Sequence, residues 1–197
     1  VQHIQDPRTR EITLDQVKFL TALRSVEHPQ LNSGGGEEKC VLALLQLFIS
    51  LLGALAYCTH TRVDVMVFIV ALQRRNHDPE VQHVRKLNKL LRWVQKHPKK
   101  LCYRRFANSS SGSRQAEPAT HLRTISDAAF KKETEKGHCL RGVLYLRAPG
   151  NTMDAYLRWQ ITIVIHVLDW VCKNQRHVTR STFASELLSA GDAVDQG

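Results

Sequence analysis

The sequence lacks several patterns that would identify a common chemistry. Its five cysteines include no CxxC pair, so neither a zinc knuckle nor a disulfide framework is predicted. The glycines at 34–36 precede no lysine-bearing turn, which excludes the usual phosphate-binding loop. No Ser, His and acid grouping, and no Cys and His grouping, has the spacing of a nucleophilic site. Because the cysteines are unpaired and no secretion signal is present at the start, we expect an intracellular protein of the cytoplasm or nucleus.

The positive charge is concentrated in one segment. The net charge is +10, and the segment from Arg74 to Arg105 holds eleven Lys or Arg and only two acids. Within it, the residues 78–80 (Asp-Pro-Glu) predict a helix start and the residues 97–98 (His-Pro) predict its end. The helix would carry four cations mainly on one face: Arg85, Lys89, Arg92 and Lys96. Such a face suits a phosphate backbone, and the alternative is an ordinary solvated face of a basic protein.

Two apolar runs precede the basic helix, at residues 40–57 and 65–72. The first has about the length that crosses a bilayer, so a small membrane protein is one interpretation. Gln46, Ser50 and Gly53 interrupt it, and two adjoining buried helices packed under the basic helix explain the pattern as well. We favour the buried helices and expect no membrane span.

The second half of the chain predicts three strands followed by a helix. The strands are expected at 121–130, 138–147 and 161–171, where β-branched and apolar residues accumulate. The helix is expected to begin at Ser181 or Thr182, either of which can cap it. Its apolar residues recur at helical spacing and are expected to be buried: Phe183, Leu187, Ala190 and Val194.

Several stretches, in the expected order, resemble copia-type retrotransposon polyproteins. Residues 52–64 resemble the end of the reverse transcriptase region, and residues 78–103 resemble the helix that follows it. Residues 126–128 (Ser-Asp-Ala) resemble the first strand of the ribonuclease H domain. Residues 170–186 resemble the segment that leads into its first helix. The matching positions there are Trp170, Lys173, Gln175, Val178, Arg180, Ser181 and Glu186.

The resemblance implies an α+β chain in four parts. Residues 1–39 would be a polar leader and linker, and residues 40–106 the helical C-terminal region of a reverse transcriptase. Residues 107–120 would be a second linker. Residues 121–197 would be a partial ribonuclease H-like domain, with a truncated mixed sheet and one helix. The implied function is RNA-templated DNA synthesis and cleavage of RNA in RNA–DNA hybrids, as a piece of a longer polyprotein.

The resemblance also implies a site. Asp127 and Glu186 match the first two metal-binding, catalytic carboxylates of the family, which hold two Mg²⁺ ions for phosphodiester hydrolysis. The implied partners are an RNA–DNA hybrid or another nucleic acid and the rest of the parent polyprotein, with no small-molecule cofactor. The candidate nucleic-acid-binding residues are Arg85, Lys89, Arg92, Lys96, Lys173, Arg176 and Arg180.

The chain departs from the family pattern in ways that affect catalysis. The third carboxylate is expected beyond Gly197, and the paired aspartates of the polymerase are expected before Val1. Ala184 stands where an acid is common, and residues 148–160 differ from the compact turn expected there. Whether the chain is an enzyme therefore stays open, and we expect no cleavage by this piece alone. The alternative is a degenerate or host-retained remnant that binds nucleic acid without catalysis.

Overall fold

The computed structural model describes residues 1–33, 35–106, 119–128, 140–150, 164–174 and 181–196. The chain divides into two compact units. Unit 1 comprises Val1–Ile4 and Thr13–Leu101, and unit 2 comprises Gln5–Ile12 and Cys102–Gly197. The main boundary therefore falls five residues before the position expected from the sequence. Most of the expected linker, residues 107–118, lies outside the described residues.

The described residues form six α-helices and two three-stranded antiparallel sheets, so the chain is a mixed α and β protein. The helices are α1 (Val17–Ala22), α2 (Gln30–Ser33), α3 (Leu42–Cys58), α4 (Met66–Gln73), α5 (Val81–Lys96) and α6 (Thr182–Gln196). The strands are β1 (Gln2–Gln5), β2 (Ile12–Asp15), β3 (Leu101–Tyr103), β4 (Thr120–Ala128), β5 (Leu140–Pro149) and β6 (His166–Asn174). The strand orders are β1-β2-β3 and β4-β5-β6.

The core of unit 1 is built from the apolar faces of α3, α4 and α5. α3 buries residues such as Leu44, Phe48 and Leu55, and Ile69 of α4 is buried with them. The two apolar runs therefore fold as two helices, as we expected, but each is buried on one side only, and side chains such as Leu47 and Phe68 are exposed. Among the residues that the structure describes, no helix combines the length and the apolar content that a bilayer crossing requires.

Helix α5 begins two residues later than a cap at Asp78 would place it. Glu80 precedes the first turn, and its backbone N–H donates to Nδ1 of His83 at 3.0 Å. This bond satisfies a donor at the helix start, where the backbone has no partner of its own. The carboxylate of Asp78 instead pairs with the ammonium group of Lys39. The helix ends at Lys96, just before the predicted stop.

Residues 1–39, predicted as a polar leader and linker, are largely folded. They contain β1, β2, α1 and α2, and Leu20 and Val26 are buried in the core of unit 1. Asn88 of α5 holds this segment by a paired contact. Its Oδ1 accepts from the N–H of Val26, and its Nδ2 donates to the carbonyl of Val26, both at 2.8 Å. Side-chain hydrogen bonds of this kind therefore act together with the burial of Leu20 and Val26 to fix the segment.

Unit 2 contains the predicted order of three strands and a helix. β4, β5 and β6 form an antiparallel meander in which Ser126 pairs with Val143 and Val143 pairs with Val171. α6 covers the face that carries Val143 and Tyr145, and the Tyr145 hydroxyl donates to the carbonyl of Ala193 at 3.3 Å. The expected mixed sheet is not seen among the described strands. All their pairings are antiparallel, and each strand pairs with its neighbour along the chain.

His166, the first residue of β6, contacts the segment after β3, also within unit 2. The His166 ring stacks on Phe106 with 4.3 Å between ring centroids, and its Nε2 accepts from the backbone N–H of Arg104 at 3.1 Å. The Arg104 guanidinium pairs with the carboxylate of Glu11 at 2.9 Å. Residues from the N-terminal region thus complete a unit whose other members follow residue 101.

Candidate functional site

The cationic face of α5, defined as Arg85, Lys89, Arg92 and Lys96, is exposed as predicted. The opposite face is buried in the core of unit 1, where Val84, Leu87 and Leu91 are inaccessible to solvent. Packing therefore fixes the helix and directs these four side chains outward. At about 1.5 Å per residue, the face extends over about 16 Å. That length matches about five base-pair steps of a duplex.

The charge on this helix is of one sign. α5 carries five Lys or Arg, the fifth being Lys86, and no Asp or Glu between its first and last residue. No internal ion pair on the helix neutralises the face. A run of cations with that spacing attracts polyanions and releases their counterions on binding.

An open cleft of about 720 Å³ lies beside the cationic face, between α5 and the segment from Val26 to Asn32. Arg85 and Arg92 form part of its wall, and Glu27 is an acid on the opposite side. The Arg85 guanidinium donates to the carbonyl of Leu31 at 2.7 Å, which holds the arginine at the rim. This cleft was not predicted from the sequence, because residues 1–39 were interpreted as a leader and linker. The apolar Leu20, Val26 and Leu31 were the signal that the segment packs.

Trp93 lies next to the cationic face and is 42% exposed. Its ring stacks on His97, with 4.7 Å between centroids and 26° between planes. The guanidinium carbon of Arg62 lies 5.6 Å from the ring centroid, within the range of a cation–π contact. The ring is therefore oriented by protein neighbours while one part of it stays accessible.

Arg62 is fully buried and anchors the end of α5. Its Nε and Nη2 donate to the two carboxylate oxygens of Asp64 at 2.9 and 3.0 Å, and its Nη1 donates to the carbonyl of Val94 at 3.2 Å. Lys99 adds a second cation 3.0 Å from Asp64. Burial raises the pKa of Asp64, but the hydrogen bonds and charges of Arg62 and Lys99 outweigh burial and hold that pKa below its ordinary value.

The second predicted site comprises Asp127 on β4 and Glu186 on α6, and the helix does approach this strand. The Ser189 hydroxyl, one turn after Glu186, donates to the backbone carbonyl of Asp127 at 3.2 Å. The side chain of Asp127 is exposed, and that of Glu186 is partly buried. The contact therefore connects α6 with the backbone of Asp127.

Strand register places the Asp127 side chain away from α6. Asp127 pairs with Gly142, whereas Ser126 pairs with Val143, a residue on the face that α6 covers. Because successive side chains of a strand alternate between faces, Asp127 lies on the other face. This placement does not bring the two carboxylates onto one face, and the described residues include no group of three or more His, Cys, Asp or Glu that could hold a metal. Shared Mg²⁺ binding by the pair stays a prediction.

The start of α6 agrees with the sequence, but its orientation does not. Ser181 caps the helix, since its hydroxyl accepts from the N–H of Ala184 at 3.1 Å. The apolar residues predicted to be buried are exposed; Phe183 is 76% and Val194 is 79% accessible. The face that packs on the sheet consists of small residues instead: Ser185, Ser189 and Ala193. Periodicity identified an amphipathic helix and assigned the wrong face to the core.

The remaining predicted nucleic-acid contacts are in the region after β5. Lys173 is on β6, partly buried, and pairs in register with Arg141 of β5. Arg176 and Arg180 lie outside the described residues. No family model, no curated protein and no solved structure matched this chain when it was compared with known proteins.

Proposed function

We propose that this chain binds nucleic acid through the cationic face of α5, as a piece of a copia-type retrotransposon polyprotein. The observation that carries the proposal is the exposure of four cations along one side of a helix whose other side is buried and which holds no acid. Arg85 and Arg92 also border a cleft large enough for parts of a bound strand. The partner class is a duplex, an RNA–DNA hybrid by the resemblance, held through its phosphates.

The proposed contribution of this chain is binding. The order β4-β5-β6-α6 supports the ribonuclease H-like interpretation of residues 121–197, in which Asp127 and Glu186 would act with Mg²⁺. The alternating register of β4 gives that pair no support, so we derive no hydrolytic step from it. The affinity proposed for the α5 face does not depend on a metal.

The salt dependence of duplex binding tests the proposal. If the four side chains each neutralise one phosphate, log K should fall with log salt with a slope of about −3.6. Reversing Lys89, Arg92 and Lys96 to Glu should bring the slope to about −0.9, because about 0.9 is lost for each contact. Arg85 is left unchanged because it also holds the carbonyl of Leu31. Fluorescence anisotropy of a labelled RNA–DNA hybrid, titrated at several salt concentrations, measures the slope.

A matched variant separates the face from net charge. Reversal of Lys18, Arg24 and Arg75 to Glu changes the net charge by the same amount as the α5 variant does. These three residues, like those of the α5 variant, are exposed and belong to unit 1. We expect its slope to stay close to that of the unaltered protein. The proposal is wrong if the slope of log K against log salt becomes equally shallow in both variants. It is also wrong if the α5 variant keeps the full slope while its circular dichroism shows an intact fold.

A further inference from the structure

An apolar groove lies between α4 and α5 in unit 1. Its volume is about 530 Å³, and apolar side chains form most of its wall: Phe68, Leu72, Leu90 and Trp93. Phe68 is 57% exposed and Trp93 is 42% exposed, so the groove is open to solvent. Its charged wall residues are Lys86 and Lys89, both cations. Exposed apolar surface bordered by polar groups is typical of an interaction site.

Unit 2 carries an exposed apolar stripe on α6, defined as Phe183, Leu187 and Val194. Leu187 is 61% exposed, and the other two are more exposed still. The spacing of four and seven residues places the three side chains on one side of the helix. The packed side of α6 uses Ser185, Ser189 and Ala193 instead. The stripe therefore makes little contribution to the packing of its own unit.

The groove and the stripe are complementary in chemistry. An amphipathic helix binds an apolar groove through anchors at positions such as i, i+4 and i+7. Phe183 and Leu187 occupy positions i and i+4 of that pattern. The acids on α6 include Glu186, immediately before Leu187, and Asp195, immediately after Val194. Lys86 and Lys89 give the groove the opposite charge. The groove is thus an apolar surface beside cations, and the stripe is an apolar helix surface beside acids.

We propose that the α4–α5 groove binds α6 of a second copy of this chain. Each contact joins two unlike surfaces, the groove of one copy and the stripe of another. Two copies can exchange both contacts and close as a dimer, or each copy can use one contact and extend the assembly. The proposal does not rest on nucleic-acid binding, since the groove lies on a neighbouring face of α5 and shares only Lys89 with the cationic face.

Sedimentation velocity over a wide range of concentrations tests the proposal on the full chain. The unaltered protein should self-associate as its concentration rises. Leu187→Glu, in the stripe, and Phe68→Glu, in the groove, should each stay monomeric, because each variant lacks one of the two surfaces. Leu47→Glu is the matched control, since Leu47 is an exposed apolar residue of α3 that belongs to neither surface, and it should associate normally.

Mixing the two variants provides the decisive measurement. A Leu187→Glu chain keeps its groove and a Phe68→Glu chain keeps its stripe, so the mixture should form a heterodimer although neither variant associates alone. Exchange of charge adds a second readout. Lys86→Glu and Glu186→Lys should each weaken association about twofold to fivefold, and the double variant should recover it.

Three outcomes overturn the proposal. The first is an unaltered protein that is monomeric at every concentration. The second is a Leu187→Glu variant, or a Phe68→Glu variant, that associates as well as Leu47→Glu. The third is a mixture that remains monomeric while circular dichroism shows both variants to be folded.

Discussion

Removing the Asp64 carboxylate should destabilise unit 1 strongly, because it leaves the buried guanidinium of Arg62 without its counter-charge. Arg62 has no solvent exposure, and Asp64 accepts two of its hydrogen bonds. Losing one partner of a buried ion pair costs about 3–5 kcal/mol. The Asp64 side chain is 28% exposed, so water can reach the vacated position and we expect a cost near the lower limit, about 3 kcal/mol for Asp64→Ala.

Urea denaturation followed by far-ultraviolet circular dichroism measures this loss. With an m value of about 1.5 kcal/mol/M, the unfolding midpoint should fall by about 2 M. Asp78→Ala is the matched control, because the pair that Asp78 forms with Lys39 is exposed and should contribute less than about 1 kcal/mol. A double variant with Arg62→Met should be more stable than Asp64→Ala, since no unpaired charge stays buried. Equal losses of stability in Asp64→Ala and Asp78→Ala would refute the role given to the buried Arg62–Asp64 pair.

Two further predictions concern single contacts. Asn88→Ala should lower the free energy of unfolding by about 2–3 kcal/mol, because the buried N–H and carbonyl of Val26 lose their partners; urea denaturation measures the change. Burial lowers the pKa of His166 below its ordinary value of 6.5, so the unfolded chain takes up the proton first and acid favours unfolding. The stabilisation from neutral His166 is complete above about pH 6.5 and is lost as the pH falls through the lower pKa that His166 has in the folded protein. Melting curves at several pH values measure this loss.

The controls for these two predictions are simple substitutions. Asn32→Ala, at an exposed asparagine of α2, should change stability by less than about 0.5 kcal/mol. His166→Gln keeps an acceptor for the N–H of Arg104 but cannot gain a proton, so its stability should fall less between pH 7.5 and pH 5 than that of the unaltered protein. A loss of equal size in both proteins would contradict the assigned role of His166.

Periodicity predicted the elements whose packing depends on their own side chains. α3, α4 and α5 were found from apolar runs and a stripe, and β4, β5 and β6 from β-branched segments. Residues 1–39 were not, because their position depends on hydrogen bonds from distant residues. Asn88 is 62 residues from Val26, and Gln95 donates to the carbonyls of Leu20 and Leu23 from a similar distance. A local pattern carries no record of such partners.

The candidate site was predictable on α5 and not on β4. A helix with one apolar side must expose the other, so the exposure of Arg92 or Lys96 follows from the sequence alone. To predict whether Asp127 and Glu186 share a face, both the strand register and the side of the sheet that α6 covers must be known. A change of one residue in register reverses the face of every side chain. The pattern of β4 did not reveal the covered face, because its apolar Leu122 and Ile125 are exposed.

Part of unit 2 precedes most of unit 1 along the sequence. Residues 5–12 are assigned to the unit that otherwise follows residue 101, and Glu11 pairs there with Arg104. Cutting the polypeptide after Leu101 would therefore not yield two autonomous halves. The C-terminal product would lack residues 5–12, which belong to unit 2. Deletion of the first dozen residues should likewise weaken unit 2 around Arg104, because it removes the Glu11 carboxylate that pairs with this arginine.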